Sequence, residues 1–197
     1  MRSISITASI TALTATTLSV VGSIATLTAL AQTAPTVSPT IPESLKVPAE
    51  QQLLMKVYAE GDQIYTCQAK ADSPNTYEWT LKAPEAELYD EQGQQIGTHY
   101  VGPSWELNDG STVVGQLKTR VDAPDTNDIP WLLLEAKSHE GEGLFSRVNW
   151  VQRINTSGGK APATGCDRNH QNAEVRVGYS SDYYFYGTAM AQPRMGY

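Results

Sequence analysis

Thirteen residues from His99 to Ser111, HYVGPSWELNDGS, bring a histidine, a tryptophan and two acids together in the chain. Several kinds of chemistry could use them. Imidazole suits zinc and copper, which makes His99, with His139 and His170, the candidate metal ligand. The separations of 40 and 31 residues between those histidines match no compact ligand motif. Two carboxylates on facing strands can hydrolyse a glycoside, a role open to Glu106 with Asp109. A nucleophile elbow needs a second glycine where Glu106 stands, so Gly102-Pro103-Ser104-Trp105-Glu106 is not one. A plainer reading competes with all of these. Asp109-Gly110 is then a hairpin turn, Trp105 is core, and His99 is a hydrogen-bonded strand residue on one arm of a bend made by Gly102-Pro103.

A second concentration lies at Tyr179 and Tyr183-Tyr184-Phe185-Tyr186. A strand with aromatics on both faces can pack one face in the core and offer the other as a ligand platform. His99, Trp105, Glu106, Tyr183, Tyr184 and Tyr186 are therefore the candidate ligand-binding residues, with His99 leading any metal site.

The elements that must position these residues read as strands. Ile64 to Ala69 is rich in β-formers, and Tyr77, Trp79 and Leu81 alternate with polar neighbours. Val113, Gly115, Leu117, Thr119 and Val121 share one face, with Gln116, Lys118 and Arg120 on the other. Trp131-Leu132-Leu133-Leu134 does not alternate, which fits burial on both faces, with Trp79, Trp131 and Leu133 as core. Val148, Trp150, Gln152 and Ile154 alternate against Asn149, Val151 and Arg153, and a last strand covers Val175 to Tyr186. Leu53 to Tyr58 fits either a short helix or a first strand. Turn formers separate the runs, as at Asp72-Ser73-Pro74-Asn75 and Gly141-Glu142-Gly143. The expected fold is all-β, a single antiparallel sandwich or barrel-like domain of about eight short strands. Trp79, Trp105 and Trp131 stand 26 residues apart in turn, but nothing else comes into register, so no repeat is inferred.

The ends differ from the middle. Residues 1 to 31 carry one charge, Arg2, then an apolar run closed by Ala29-Leu30-Ala31. That pattern is a secretory signal cleaved after Ala31, although the run is long enough to serve as an uncleaved anchor. Cleavage would leave no stable membrane span and a secreted or periplasmic protein. Residues 32 to 48 hold Pro35, Pro39, Pro42 and Pro48 and read as an extended linker. The β domain then covers 49–188 and a tail covers 189–197.

The formal net charge of −7, with no clustered Lys/Arg stripe, argues against nucleic acid as a partner. Two cysteines, Cys67 and Cys166, permit one pairing, and in an exported chain they read as a disulfide rather than a metal pair. Asn155-Thr156-Ser157 is a glycosylation sequon, used only in a eukaryotic secretory path.

A longer ordered pattern emerges: Gly61-x-Gln63-Ile64-Tyr65-x-Cys67, Trp79, Pro84-x-Ala86-x-Leu88, Gly93, His99 and Gly102-Pro103-x-Trp105 with Asp109-Gly110-Ser111. It continues through Ile129-Pro130-Trp131-Leu132-Leu133-Leu134, Gln152-Arg153-x-Asn155-Thr156-x-Gly158-Gly159-x-Ala161-Pro162, Cys166-Asp167 and Tyr183-Tyr184-Phe185-Tyr186. Over about residues 47 to 187 the chain resembles the DUF 3455 family of exported microbial and fungal proteins. The resemblance implies an exported single-domain β-protein and brings with it no activity, cofactor or catalytic residue. No βαβ unit with a Gly-rich nucleotide loop is present, and no cofactor is implied. Two functions are expected. One is a non-catalytic envelope or extracellular protein binding a glycan or small-molecule ligand through tyrosine and tryptophan. The other is a small metal-assisted or redox enzyme centred on His99 with an acidic partner.

Overall fold

The computed structural model describes residues 40–188. The expected leader, most of the linker and the tail lie outside them. Eight antiparallel strands follow one another around a closed barrel: β1 (Gln51–Lys70), β2 (Ser73–Tyr89), β3 (Gln95–Tyr100), β4 (Ser104–Leu107), β5 (Thr112–Val121), β6 (Trp131–Glu140), β7 (Val148–Gly158) and β8 (Glu174–Thr188). The all-β expectation holds, and of its two forms the barrel is realised. β1 and β2 are far from short, at 20 and 17 residues. The ambiguous Leu53–Tyr58 stretch is strand, because β1 pairs with β8 from Gln51↔Thr188 to Thr66↔Glu174 and so closes the sheet. Closure leaves no edge strand to template aggregation. Among the described residues no helix is long and apolar enough to cross a membrane.

An eight-stranded barrel has an interior just wide enough to fill with side chains or to hold one small ligand. Here one half is filled. Val57, Leu88, Leu107, Val113, Val148, Val151 and Phe185 pack together at the end where β1 begins and β8 finishes. Phe145, on the β6–β7 connection, plugs that end with its ring centroid 4.4 Å from that of Phe185. Asp109 holds the plug in place. Its Oδ1 accepts from the Ser111 amide and hydroxyl at 2.8 and 2.6 Å, and its Oδ2 accepts from the Leu144 amide at 3.1 Å. The Ser111 hydroxyl in turn accepts from the Phe145 amide. Asp109-Gly110 is thus a turn, as expected, and Asp109 is a structural carboxylate.

A second apolar cluster lies outside the barrel. Leu45, fully buried, packs with Trp131, Leu133 and Ile154, and Ile41, Val47, Trp150 and Tyr184 surround them. The Gln152 amide donates to the Leu45 carbonyl at 2.7 Å. Residues 41 to 47 are therefore packed against β6–β8 rather than running as a free linker. This explains the unbroken apolar run 131–134. Trp131 and Leu133 face the segment 41–47, while Leu134 faces the barrel interior.

Bulges override the simple alternation in two strands. The ladder slips between Leu117 and Thr119, so Val121 packs outside with Ala123 while Arg120 lines the interior. A slip between Val148 and Trp150 likewise sends Val148 inward and leaves Trp150, Gln152 and Ile154 outward. A one-residue shift in a period of two exchanges every following side chain between faces. Trp79 is also not core. It is half-buried beside the disulfide, in register with Cys67, and its indole N–H donates to the Thr164 carbonyl at 2.9 Å.

Cys67 and Cys166 form the expected disulfide, with Cα atoms 5.3 Å apart. It ties β1 to the long β7–β8 connection, which also exchanges main-chain hydrogen bonds with Cys67 through Asn172 and Ala173.

Candidate functional site

The other half of the barrel is open. A cavity of about 800 Å³ enters at the end carrying the β3–β4 bend and the β5–β6 and β7–β8 connections. That volume lies in the range that accepts a small organic molecule. Its apolar walls come from Leu117 of β5, Leu132 and Leu134 of β6, and Ile129-Pro130 at the start of β6.

His99 lines the cavity floor, and Trp105 lies buried beneath it. Val101-Gly102-Pro103 turns β3 into β4, so His99 and Trp105 become direct cross-strand partners. Gly102 has φ +133°, a conformation that side chains with a Cβ rarely adopt. The His99 imidazole lies flat on the Trp105 indole, 4.6 Å between centroids and 5° from parallel, and Tyr183 meets both rings edge-on. Gly115 makes room for this stack, since a Cβ there would reach within 3.0 Å of the Trp105 ring. His99 Nδ1 lies 2.8 Å from the Ser104 carbonyl, which only accepts, so Nδ1 carries the proton and Nε2 the lone pair. Burial drives the imidazole pKa down to about 3. The Ser104 hydrogen bond opposes that shift, and the nearby Arg153 guanidinium reinforces it. His99 is neutral at physiological pH.

Several buried polar groups inside the barrel lack partners, and of these Gln63 lines the cavity. Gln63 Nε2, Tyr179 OH, Ser181 Oγ and Tyr183 OH are buried and accept or donate no hydrogen bond. Gln63 lines the cavity at 2 % exposure. Burial pushes the Tyr179 phenol far above its ordinary value, with Tyr183 adding to the effect. Tyr65 donates to the Gly159 carbonyl at 2.7 Å and also lines the cavity. An unpartnered buried polar atom costs about 1–3 kcal/mol, and a molecule in the cavity that met the Gln63 amide would remove that cost.

Of the six residues expected in one site, three converge and three do not. His99, Trp105 and Tyr183 lie together inside the barrel. Glu106 faces out, where it accepts from the Tyr100 hydroxyl at 3.0 Å, so it cannot serve as the acidic partner of His99. Tyr184 packs outside with the Leu45 cluster, and the Tyr186 hydroxyl reaches outward to Gln152 Oε1 at 3.5 Å. Successive strand side chains point to opposite faces, so Tyr183 and Tyr184 cannot share a wall. His139 Nε2 donates to the Val148 carbonyl, and His170 bonds Asp167 in an exposed turn. The three histidines are thus scattered. Among the described residues no three His, Cys, Asp or Glu side chains converge where they could hold a metal ion. The sequon residue Asn155 donates its amide to Asp182 at 2.8 Å.

The residues missed from sequence are Gln63, Tyr65, Arg120 and Arg153. A signal for three of them was present. Gln63 and Tyr65 continue the inward period of Val57 and Ala59, so two polar side chains stand on an otherwise apolar face. Arg153 likewise follows Val151 into the interior.

No curated protein matches the chain. A family model does: residues 48–187, which hold the whole barrel apart from its last residue, match DUF3455, described as a protein of unknown function, and the chain belongs to that family.

Proposed function

We propose that this is an exported binding protein whose barrel takes up one small, largely apolar molecule. The observation that carries the reading is the open half-barrel itself. A cavity of about 800 Å³ is walled by leucine, isoleucine and proline, with Gln63, Tyr65 and His99 among the polar residues that line it. That composition is typical of small-molecule sites. A glycan platform on the outer tyrosines is less favoured, because Tyr184 is packed with residues of the 41–47 segment and Tyr186 leans on Gln152. Binding rather than turnover is favoured because His99 is neutral, oriented by a main-chain carbonyl, and stacked on Trp105. Export is supported by the leader-like residues 1 to 31 and by the Cys67–Cys166 disulfide, which persists in oxidising compartments.

The test is a fluorescence titration with the neutral amphiphile pyrenebutanol. Energy transfer from Trp105 should saturate at one probe per chain with a dissociation constant in the micromolar range, about −8 kcal/mol. Leu117→Trp, which narrows the cavity from an exposed position, should weaken binding about tenfold, close to 1.4 kcal/mol. No saturable binding of either a neutral or a charged apolar probe would rule the reading out.

A further inference from the structure

The cavity contains a buried cation, Arg153, that has no ion-pair partner among the described residues. Arg153 is 8 % exposed, and its Nε and Nη2 both donate to the Pro130 carbonyl, at 3.2 and 2.8 Å. Among the described residues no carboxylate forms an ion pair with it. A buried charge is costly unless it is paired, and a guanidinium has five N–H donors, of which the carbonyl engages two.

A second guanidinium shares its row. Arg120 pairs in register with Leu132, and Leu132 with Arg153, so the two arginines flank Leu132 on the inward face of three adjacent strands. Two strand spacings place their backbones about 10 Å apart, a gap that two long side chains can close around one anionic group. Both guanidinium fields reach the Tyr65 phenol across the cavity. The unpartnered Gln63 amide adds a donor on the same side as Tyr65.

Both lysines among the cavity-lining residues have partners, and three aspartates also line it. Lys82 pairs with Glu174, and Lys160 donates to the Thr126 carbonyl. Asp125 and Asp128 accept main-chain amides of Asn127 and Gly158. Asp122, at the start of the β5–β6 connection, lines the cavity and is exposed to solvent.

Building on the cavity reading above, we propose that the ligand is an organic carboxylate: an apolar body along Leu117, Leu132 and Ile129, with its carboxylate held by Arg153 and Arg120. Planar bidentate pairing of guanidinium with carboxylate supplies both charge and geometry.

The experiment compares pyrenebutyrate with pyrenebutanol, probes that differ only in the charged end. On the wild-type protein at pH 7.5 the carboxylate should bind at least tenfold more tightly than the alcohol. Arg153→Met should bring the two affinities within about threefold of each other. Arg120→Ala, an exposed and readily tolerated change, should reduce the ratio by a smaller factor. Circular dichroism checks that each variant is folded; if Arg153→Met is not, the wild-type and Arg120→Ala ratios decide the matter. Equal binding of the two probes to wild type would overturn the carboxylate assignment and leave the cavity reading intact. A tenfold preference that survives both substitutions would overturn the assignment to these arginines. Failure of both probes to bind would overturn the two proposals together.

Discussion

His99 and Trp105 stack face to face across the β3–β4 ladder, 4.6 Å between centroids, with the imidazole buried and its Nδ1–H tied to the Ser104 carbonyl. A neutral ring in this place has a direct consequence for stability. The folded-state pKa of about 3 lies below the ordinary value near 6.5, so between those values the unfolded chain binds the extra proton. Stability from this group is complete above about pH 6.5 and is lost as pH falls. The slope approaches about 1.4 kcal/mol per pH unit for one proton. Urea midpoints measured between pH 7.5 and 4.5 should show this fall, and His99→Gln, which cannot titrate, should flatten it. An unchanged pH profile in the variant would place the proton uptake elsewhere.

Leu45 is fully buried although it precedes the first strand, and its contacts are with Trp131, Leu133 and Ile154 on the outside of the barrel. Leu45→Ala should therefore cost about 2–5 kcal/mol, the range of core leucine truncations. Trp131→Ala should cost about 3–5 kcal/mol. Because the two side chains share one cluster, the double variant should lose less than the sum, which a double-mutant cycle in urea would reveal.

The Cys67–Cys166 bond closes a loop of 99 residues. The chain-entropy model assigns a loop of that length about 4.7 kcal/mol. Replacing both cysteines by alanine should lower the unfolding free energy by roughly 3–5 kcal/mol. A non-reducing digest followed by mass spectrometry should recover the two cysteine peptides as one species.

Asp109 accepts three hydrogen bonds and positions the Phe145 plug, and its carboxyl is held below the usual range chiefly by the Ser111 hydroxyl and amide. A depressed carboxyl contributes stability above its unfolded value, about 3.9, and that contribution is lost as pH drops through the folded value. Asp109→Asn should weaken the closed end at neutral pH and remove part of the acid sensitivity below about pH 4. Hydrogen exchange at the Leu144 and Phe145 amides would read the loss locally.

Much of this architecture is written in short-range pattern. Period-two alternation and the Gly, Asn, Asp and Pro clusters between runs mark strands and turns because side-chain direction and positive φ are local properties. The all-β class, the Asp109-Gly110 turn and the burial of Trp105 were legible on that basis, and the Cys67–Cys166 pairing followed from there being only two cysteines. The rest depended on long-range geometry. Closure requires β1 to find β8, more than a hundred residues away, and only that pairing sets Tyr183 inward with His99 while turning Tyr184 and Tyr186 out. Bulges at β5 and β7 exchanged faces in mid-strand, which turned Arg120 toward the open cavity and Val121 to the outer cluster. No spacing in the chain joins Gln63 and Tyr65 to Arg120 or to Arg153. They share a cavity because a barrel brings every inward-facing row onto one axis, and a side chain's neighbours across that axis are set by register and not by sequence distance.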